Sequence, residues 1–322
     1  MKINILILSC GTRNKIVQYF KENLKGKGNV IAADCSELAP ALYEADRYYI
    51  LPRITEAGYI EKVLELCKKE KVTGVLSLID PELSLLAKHT TDFEKNGTTV
   101  IGSSYELCER ALNKWDMFRW LKGHGFLCAE TFLDIETFSN AYEAHQIQFP
   151  VILKPVCGSA SQKISVVHDM ETLKNEWRES EQRMIQEFLK GQEIGVDCYI
   201  DLISHEVVSV FAKKKIQMRA GETDKSVSFK DEKLFQLICR FVKESGYRGQ
   251  IDIDLFCKNG NYYISEVNPR FGGGYPHAYL CGKNHMELII NNLSGERNEP
   301  KLGDYKEGIF AMKFNEIMTK VE

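Results

Sequence analysis

The first hundred residues alternate short apolar runs with stretches of helical periodicity. Residues 3–8, 29–33, 74–78 and 99–101 are apolar runs of strand length, and residues 14–24 and 60–70 repeat apolar positions at helical spacing. That alternation predicts a parallel sheet with helices packed on it. From residue 104 the pattern changes to helices at 105–111 and 114–122, then a strand at 149–155 that carries Lys154 near its end. A loop of small and hydroxyl residues at 156–163 and a strand at 164–167 follow. Residues 184–189 lead through 190–193 into a strand at 194–202, a second strand follows at 206–212, and 217–230 reads as a polar stretch carrying Arg219. Residues 231–245 read as a helix with Leu234, Leu237, Ile238, Phe241 and Val242 on its apolar face.

Residues 249–270, GQIDIDLFCKNGNYYISEVNPR, have a strand's period of two on either side of Asn259-Gly260, which predicts a β-hairpin with acidic residues on both arms. A two-residue turn would set Asp254 against Ser265 and leave Asp254 and Glu266 on opposite faces. A three-residue loop, or a bulge, opposes Asp254 to Glu266 and Asp252 to Asn268. Chemistry favours the three-residue loop, because Asp254, Glu266 and Asn268 are then hard oxygen donors of the kind and number that magnesium takes beside phosphates. Arg270 follows at once, placed to brace a phosphate or oxyanion. From the hairpin alone, a metal site and a merely solvated acidic face stand equally.

Composition narrows the class. The 322 residues are 44% hydrophobic and 27% charged with a formal net charge of −3, the balance of a globular protein of two or three domains with no electrostatic footprint for nucleic acid. No apolar run approaches the roughly 18 residues of a membrane span, and the first run reads as a buried strand rather than a signal peptide. Ten scattered cysteines without a C-x-x-C spacing read as small buried hydrophobes in a reduced cytoplasm. Residues 9–13 follow the first strand where a dinucleotide fingerprint would sit, but G-x-G-x-x-G is missing, so NAD binding is not supported. Asp34, Asp80 and Glu82 lie at carboxyl ends of strands, where open α/β sheets bind ligands, and capping or solvation explains them equally well.

Taken in order, Lys114, the strand ending at Lys154, the small-residue loop, Gln186-Glu187-Phe188, Gly191-x-Glu193, and Asp254, Glu266, Asn268 and Arg270 resemble the ATP-grasp superfamily, nearest to proteins like the carbamoyl-phosphate synthase large subunit. The resemblance implies a Rossmann-like pre-ATP-grasp domain at 1–103, a small lobe at 104–183 and a large lobe at 184–322. It implies that Lys114 and Lys154 hold ATP phosphates under a flap containing Gly158, Ser159 and Ser161. Glu187, Phe188 and Leu189 would face adenine, and Glu193 the ribose. Asp254, Glu266 and Asn268 would hold Mg2+, or Mn2+ in its place, with the choice between Asp252 and Asp254 open. Arg270 and Arg219 would stabilise charge on an acyl phosphate. The implied activity is ADP-forming ligation of a small-molecule carboxylate to an amine. A carbamoyl-phosphate-type reaction on bicarbonate and a non-catalytic nucleotide-binding module are the alternatives, and a homodimer is among the assemblies the resemblance allows. His277 reads as a structural histidine before a general base.

Overall fold

The apolar runs of the first hundred residues form the strands β1 (Ile5–Leu8), β2 (Val30–Asp34), β3 (Arg47–Ile50), β4 (Gly74–Ser77) and β5 (Thr99–Val100). They make one parallel sheet in the order β3-β2-β1-β4-β5, with α1 (Asn14–Leu24), α2 (Tyr59–Glu70), α3 (Asp80–Lys88) and α4 (Thr90–Lys95) between them. The computed structural model describes residues 2–158, 164–178 and 181–320. Both faces of this sheet are covered, so β1, β2 and β4 read as continuous apolar runs, and Ile5, Leu6, Ile7 and Leu8 are all fully buried.

Helices α5 (Tyr105–Leu112) and α6 (Lys114–Gly123) lead into a smaller antiparallel sheet. It contains β6 (Thr131–Phe132), β7 (Val151–Pro155), β8 (Ser165–Val167) and β9 (Arg183–Glu187) in the order β6-β9-β7-β8, with α7 (Ile135–Glu143) and α8 (Met170–Glu176) packed beside it. Strand β9 carries this sheet to Glu187, past residue 183. The third sheet is mixed in length and antiparallel: β10 (Gln192–Ile200), β11 (Val207–Arg219), β12 (Glu222–Phe229), β13 (Gly249–Lys258), β14 (Asn261–Asn268) and β15 (Phe310–Met312), in the order β14-β13-β10-β11-β12-β15. Helix α9 (Glu232–Ser245) begins where Asp231 accepts hydrogen bonds from the Lys233 and Leu234 amides and ends at Gly246, whose φ of 86° makes a left-handed cap. Helices α10 (Tyr275–Leu280) and α11 (His285–Leu293) follow the last long hairpin.

The first domain and the large sheet share a core. Apolar residues of α1 at positions 16, 17, 20 and 24 face one side, and Phe20 meets Phe271 edge-to-face at 6.1 Å while Tyr19 stacks on Tyr279 at 3.6 Å. Burying a side chain of this size is worth about 1.5–3 kcal/mol, so the two walls that meet here form a fixed frame. Among the described residues no helix is long and apolar enough to cross a membrane. Two cysteines depart from expectation: Cys35 and Cys157 are exposed rather than buried.

Candidate active site

The hairpin of β13 and β14 has a two-residue turn, not the three-residue loop that chemistry favours. Asn259 and Gly260 take φ of 53° and 70°, the left-handed pair that a tight hairpin turn needs, and Lys258 pairs with Asn261. Strict counting from that turn would oppose Asp254 to Ser265. Instead the register shifts between Asp254 and Leu255: Leu255 pairs with Ile264 and Asp254 with Glu266, which leaves Ser265 as the extra residue of a bulge. Asp252 then pairs with Asn268, so Asp252, Asp254, Glu266 and Asn268 share one face.

Neighbouring strands extend that face. On β10, Gly195 pairs with Asp254 and with Lys213 of β11, and Asp197 pairs with Asp252. A Cβ at Gly195 would lie 3.0 Å from Lys213 Cε and 3.3 Å from Lys215 Cε, so the missing side chain lets both lysines pass over β10. Lys215 Nζ reaches Asp254 Oδ1 at 2.6 Å, and Lys213 pairs with Asp197, both fully buried. Burial opposes the Lys215 charge, but Asp254 and Asp252 overcome it and hold the ammonium above its ordinary range. The Asp252 carboxyl is pushed up to about 7, first by desolvation and then by Asp254 and Asp197. It presses on Gly272, where a Cβ would fall 2.4 Å from its Cγ, and a Cβ at Gly274 would fall 2.8 Å from Lys213 Cε.

This face and the carboxyl ends of the first domain's strands enclose a cavity of about 540 Å3 lined by Glu193, Lys215, Asp254, Glu266, Asn268 and Arg270, with Arg13 and Asp80 from the first domain. Arg270 Nη2 and Nε donate to Asp80 Oδ2 at 2.9 and 3.0 Å, and Nη2 reaches Asn268 Oδ1 at 3.3 Å. Arg13 pairs with Glu222 at 2.7 Å, so two cross-domain ion pairs lie at the cavity wall. Lys114, at the start of α6 behind an Asn113 cap, donates to the Gly158 carbonyl at 2.6 Å and lies 3.4 Å from Glu266. Lys154 is 9% exposed, and desolvation, then the Lys114 charge, pushes its ammonium down to about 8 against the pull of Glu266.

The remaining candidates are spread more widely. Glu187 lies 3.4 Å from Lys258, its backbone N–H donates to Glu130 at 2.8 Å, and Leu189 is buried. Ser159 and Ser161 lie outside the described residues. Arg219 is not at the cavity: its side chain is 60% exposed and 3.3 Å from Asp224, and the arginine that lines the cavity near this strand pair is Arg13. The loop position of Arg13 after β1 is the signal that would have found it. Both His277 nitrogens are used, Nε2 donating to the Ile309 carbonyl at 3.0 Å and Nδ1 accepting from Ser226 Oγ at 2.8 Å, and burial holds its pKa down to about 4. It is a neutral structural group. Glu82 is buried beneath Tyr59 and Ser77, its pKa raised by that burial.

Asp254, Glu266 and Asn268 offer hard oxygens from one face, the donor chemistry that Mg2+ prefers. Among the described residues no three His, Cys, Asp or Glu side chains make a metal cage, so phosphate oxygens and water would complete such a shell.

Residues 111–274 match the ATP-grasp domain family, and residues 5–101 match the PylC-like N-terminal domain family. The chain is 26% identical over 300 residues to the carbamoyl phosphate synthase large chain of Clostridium botulinum (strain Langeland / NCTC 10281 / Type F), covering 85% of this chain and 26% of that one. It thus spans about a quarter of the length of that relative. Its fold is similar to the biotin carboxylase domain of Hydrogenobacter thermophilus 2-oxoglutarate carboxylase, solved with MgADP, ADP and bicarbonate, with a TM-score of 0.74 at 16% identity over 96% of this chain and 74% of that one. An L-amino acid ligase from Bacillus licheniformis gives a TM-score of 0.68 at 19% identity over 91% and 74%.

Proposed function

Because the chain belongs to the ATP-grasp family, we propose that it joins a small-molecule carboxylate to an amine with cleavage of ATP to ADP and phosphate. The observation that carries this reading is the single oxygen-rich face of Asp254, Glu266 and Asn268, set in one cavity with Arg270, with Lys114 3.4 Å from Glu266 and the Lys154 ammonium under the pull of the same carboxylate. Lys114 and Lys154 would hold the phosphates as compact ammonium charges, and Glu187, Phe188, Leu189 and Glu193 the adenosine. Mg2+ or Mn2+, held by Asp254, Glu266 and Asn268, would neutralise charge on the transferring phosphate. Arg270 would stabilise the anionic acyl phosphate formed when the substrate carboxylate attacks the terminal phosphorus, and the amine would then displace phosphate. A homodimer is part of the proposal, supported by the dimeric biotin carboxylase neighbour; the free cysteines suit a reducing cytoplasm.

The test is phosphate release from Mg-ATP across panels of carboxylates and amines. Release that requires both co-substrates, with ADP as the other product, is expected. Release driven by bicarbonate alone would replace amide formation with a carbamoyl-phosphate-type reaction, and nucleotide binding without turnover on any panel would overturn the ligase reading.

Lys154 gives a pH signature. With its ammonium held to about 8, the free protein loses this charge as pH rises above 8, whereas bound phosphate favours the charged form, so binding must take up a proton there. Nucleotide Kd is expected to be flat below pH 8 and to rise by up to about tenfold per unit above it. In Lys154→Arg, whose guanidinium stays charged, calorimetry should show that slope removed.

A further inference from the structure

A second cavity, of about 160 Å3, lies beside the first, and Ile79 lines both. It sits at the carboxyl ends of β1, β2 and β4, where open parallel sheets bind ligands. Leu51, Pro52, Ile54 and Ile79 give it aliphatic walls, and Asp34 gives it a carboxylate. That carboxylate is built in: Oδ2 accepts from the Gly11 amide at 2.9 Å and Oδ1 from the Ser36 amide at 3.0 Å, which fixes its orientation. Among the described residues it makes no ion pair, although Arg53 also lines the cavity and is exposed. Asp80 and Glu222, carboxylates that line the first cavity, each hold an arginine. A half-buried carboxylate fixed by backbone, lacking a counter-cation and facing aliphatic walls, matches an alkyl chain that ends in an ammonium.

We infer that this cavity is the specificity pocket for one of the two ligation substrates, taking an aliphatic side chain tipped with an ammonium group on Asp34 while the reacting end of the same molecule crosses Ile79 to Arg270 and Asp80. The inference rests on the ligase reading, since it treats the first cavity as the reaction site. Asp34 acts here as a binding group for the substrate's tail, about which the oxygen-rich hairpin is silent.

L-Lysine and L-norleucine serve as probes, because they share a four-carbon stem and differ in the terminal ammonium. Cys35 is exposed and lines the second cavity, whereas Cys157 is exposed and does not. Site-resolved mass spectrometry of iodoacetamide labelling is expected to show L-lysine, and not L-norleucine, slowing modification of Cys35 several-fold with Cys157 unaffected. In turnover, the kcat/KM ratio of L-lysine over L-norleucine should fall about 10- to 100-fold in Asp34→Asn, the range for losing a hydrogen bond to a charged group. Thermal stabilisation of that variant by MgADP would show that it is folded. Equal protection by both probes, no protection by L-lysine, or an unchanged ratio in a folded Asp34→Asn would overturn the inference while leaving the ligase reading in place. Protection of Cys35 without phosphate release on any substrate panel would overturn the ligase reading and the substrate role with it, and leave an ammonium site.

Discussion

Glu266→Ala is expected to lower kcat by about 10²- to 10³-fold, the scale for removing one charge-stabilising group from a phosphoryl- or acyl-transfer site, while changing folding stability by no more than about 0.5 kcal/mol. Stability should hold because the Glu266 side chain is 33% exposed and its ion pair with Lys114, at 3.4 Å, is partly solvated. Turnover should collapse because Glu266 is the carboxylate that faces Asp254 and also sits among the two lysines. Without it one proposed Mg2+ ligand is gone, and Lys154 loses the pull that opposes Lys114. Glu266→Gln keeps the shape and one oxygen donor, so raising Mg2+ should recover part of its activity and none of that of Glu266→Ala. Steady-state phosphate release as a function of Mg2+, with urea unfolding of each variant, measures both. Full turnover by Glu266→Ala would remove the hairpin from the reaction.

This hairpin shows which of its features are legible in the sequence. Period-two alternation and Asn259-Gly260 announced two strands and a turn, and those signals are local. The bulge is not local: Ser265 is a small polar residue that fits either phase, and only pairing with β10 on the other side of β13 reveals that Asp254 sits over Gly195. Strand β12 is hidden in the sequence for a related reason. Its buried positions include Thr223, Asp224, Ser226 and Ser228, and the inward side of a strand that usually shows apolar residues is polar here, with Ser226 bonding His277. Residues that read as an irregular polar stretch therefore form a strand of the large sheet, held between β11 and β15. Arg270 and Asp80 are 190 positions apart, and the Arg13 and Glu222 pair likewise spans two domains, so neither could be paired from spacing. Charge and neighbourhood single out Arg219 in the sequence, yet its side chain is 60% exposed beside Asp224 and does not line the cavity.

Lys213→Met is expected to destabilise the fold by about 3–5 kcal/mol at pH 7, the cost of leaving a buried charge without its partner. Lys213 and Asp197 are 1% and 0% exposed, packed between Gly195 and Gly274, and Asp197 Oδ1 already has no hydrogen-bond partner among the described residues. Desolvation raises the Asp197 pKa in the native protein even with Lys213 present, and removing Lys213 raises it further. A carboxyl whose folded pKa exceeds its unfolded value loses stability as pH rises, because the unfolded chain ionises first. Between pH 4 and that folded pKa each unit removes about 1.4 kcal/mol. The wild type follows the same slope up to its own folded pKa, so the Lys213→Met deficit should shrink as pH falls through the interval between the two folded pKa values, where only the variant holds Asp197 protonated and in no need of a counter-ion. Pairing Lys213→Met with Asp197→Leu replaces both charges by apolar groups and should recover most of the loss. Denaturant unfolding of the wild type and of the single and double variants across the acid-to-alkaline range of the folded protein tests this. A deficit that is the same at every pH, or a double variant no better than the single, would mean that Lys213 stabilises the sheet through the packing of its stem over Gly195 rather than through the charge it brings to Asp197.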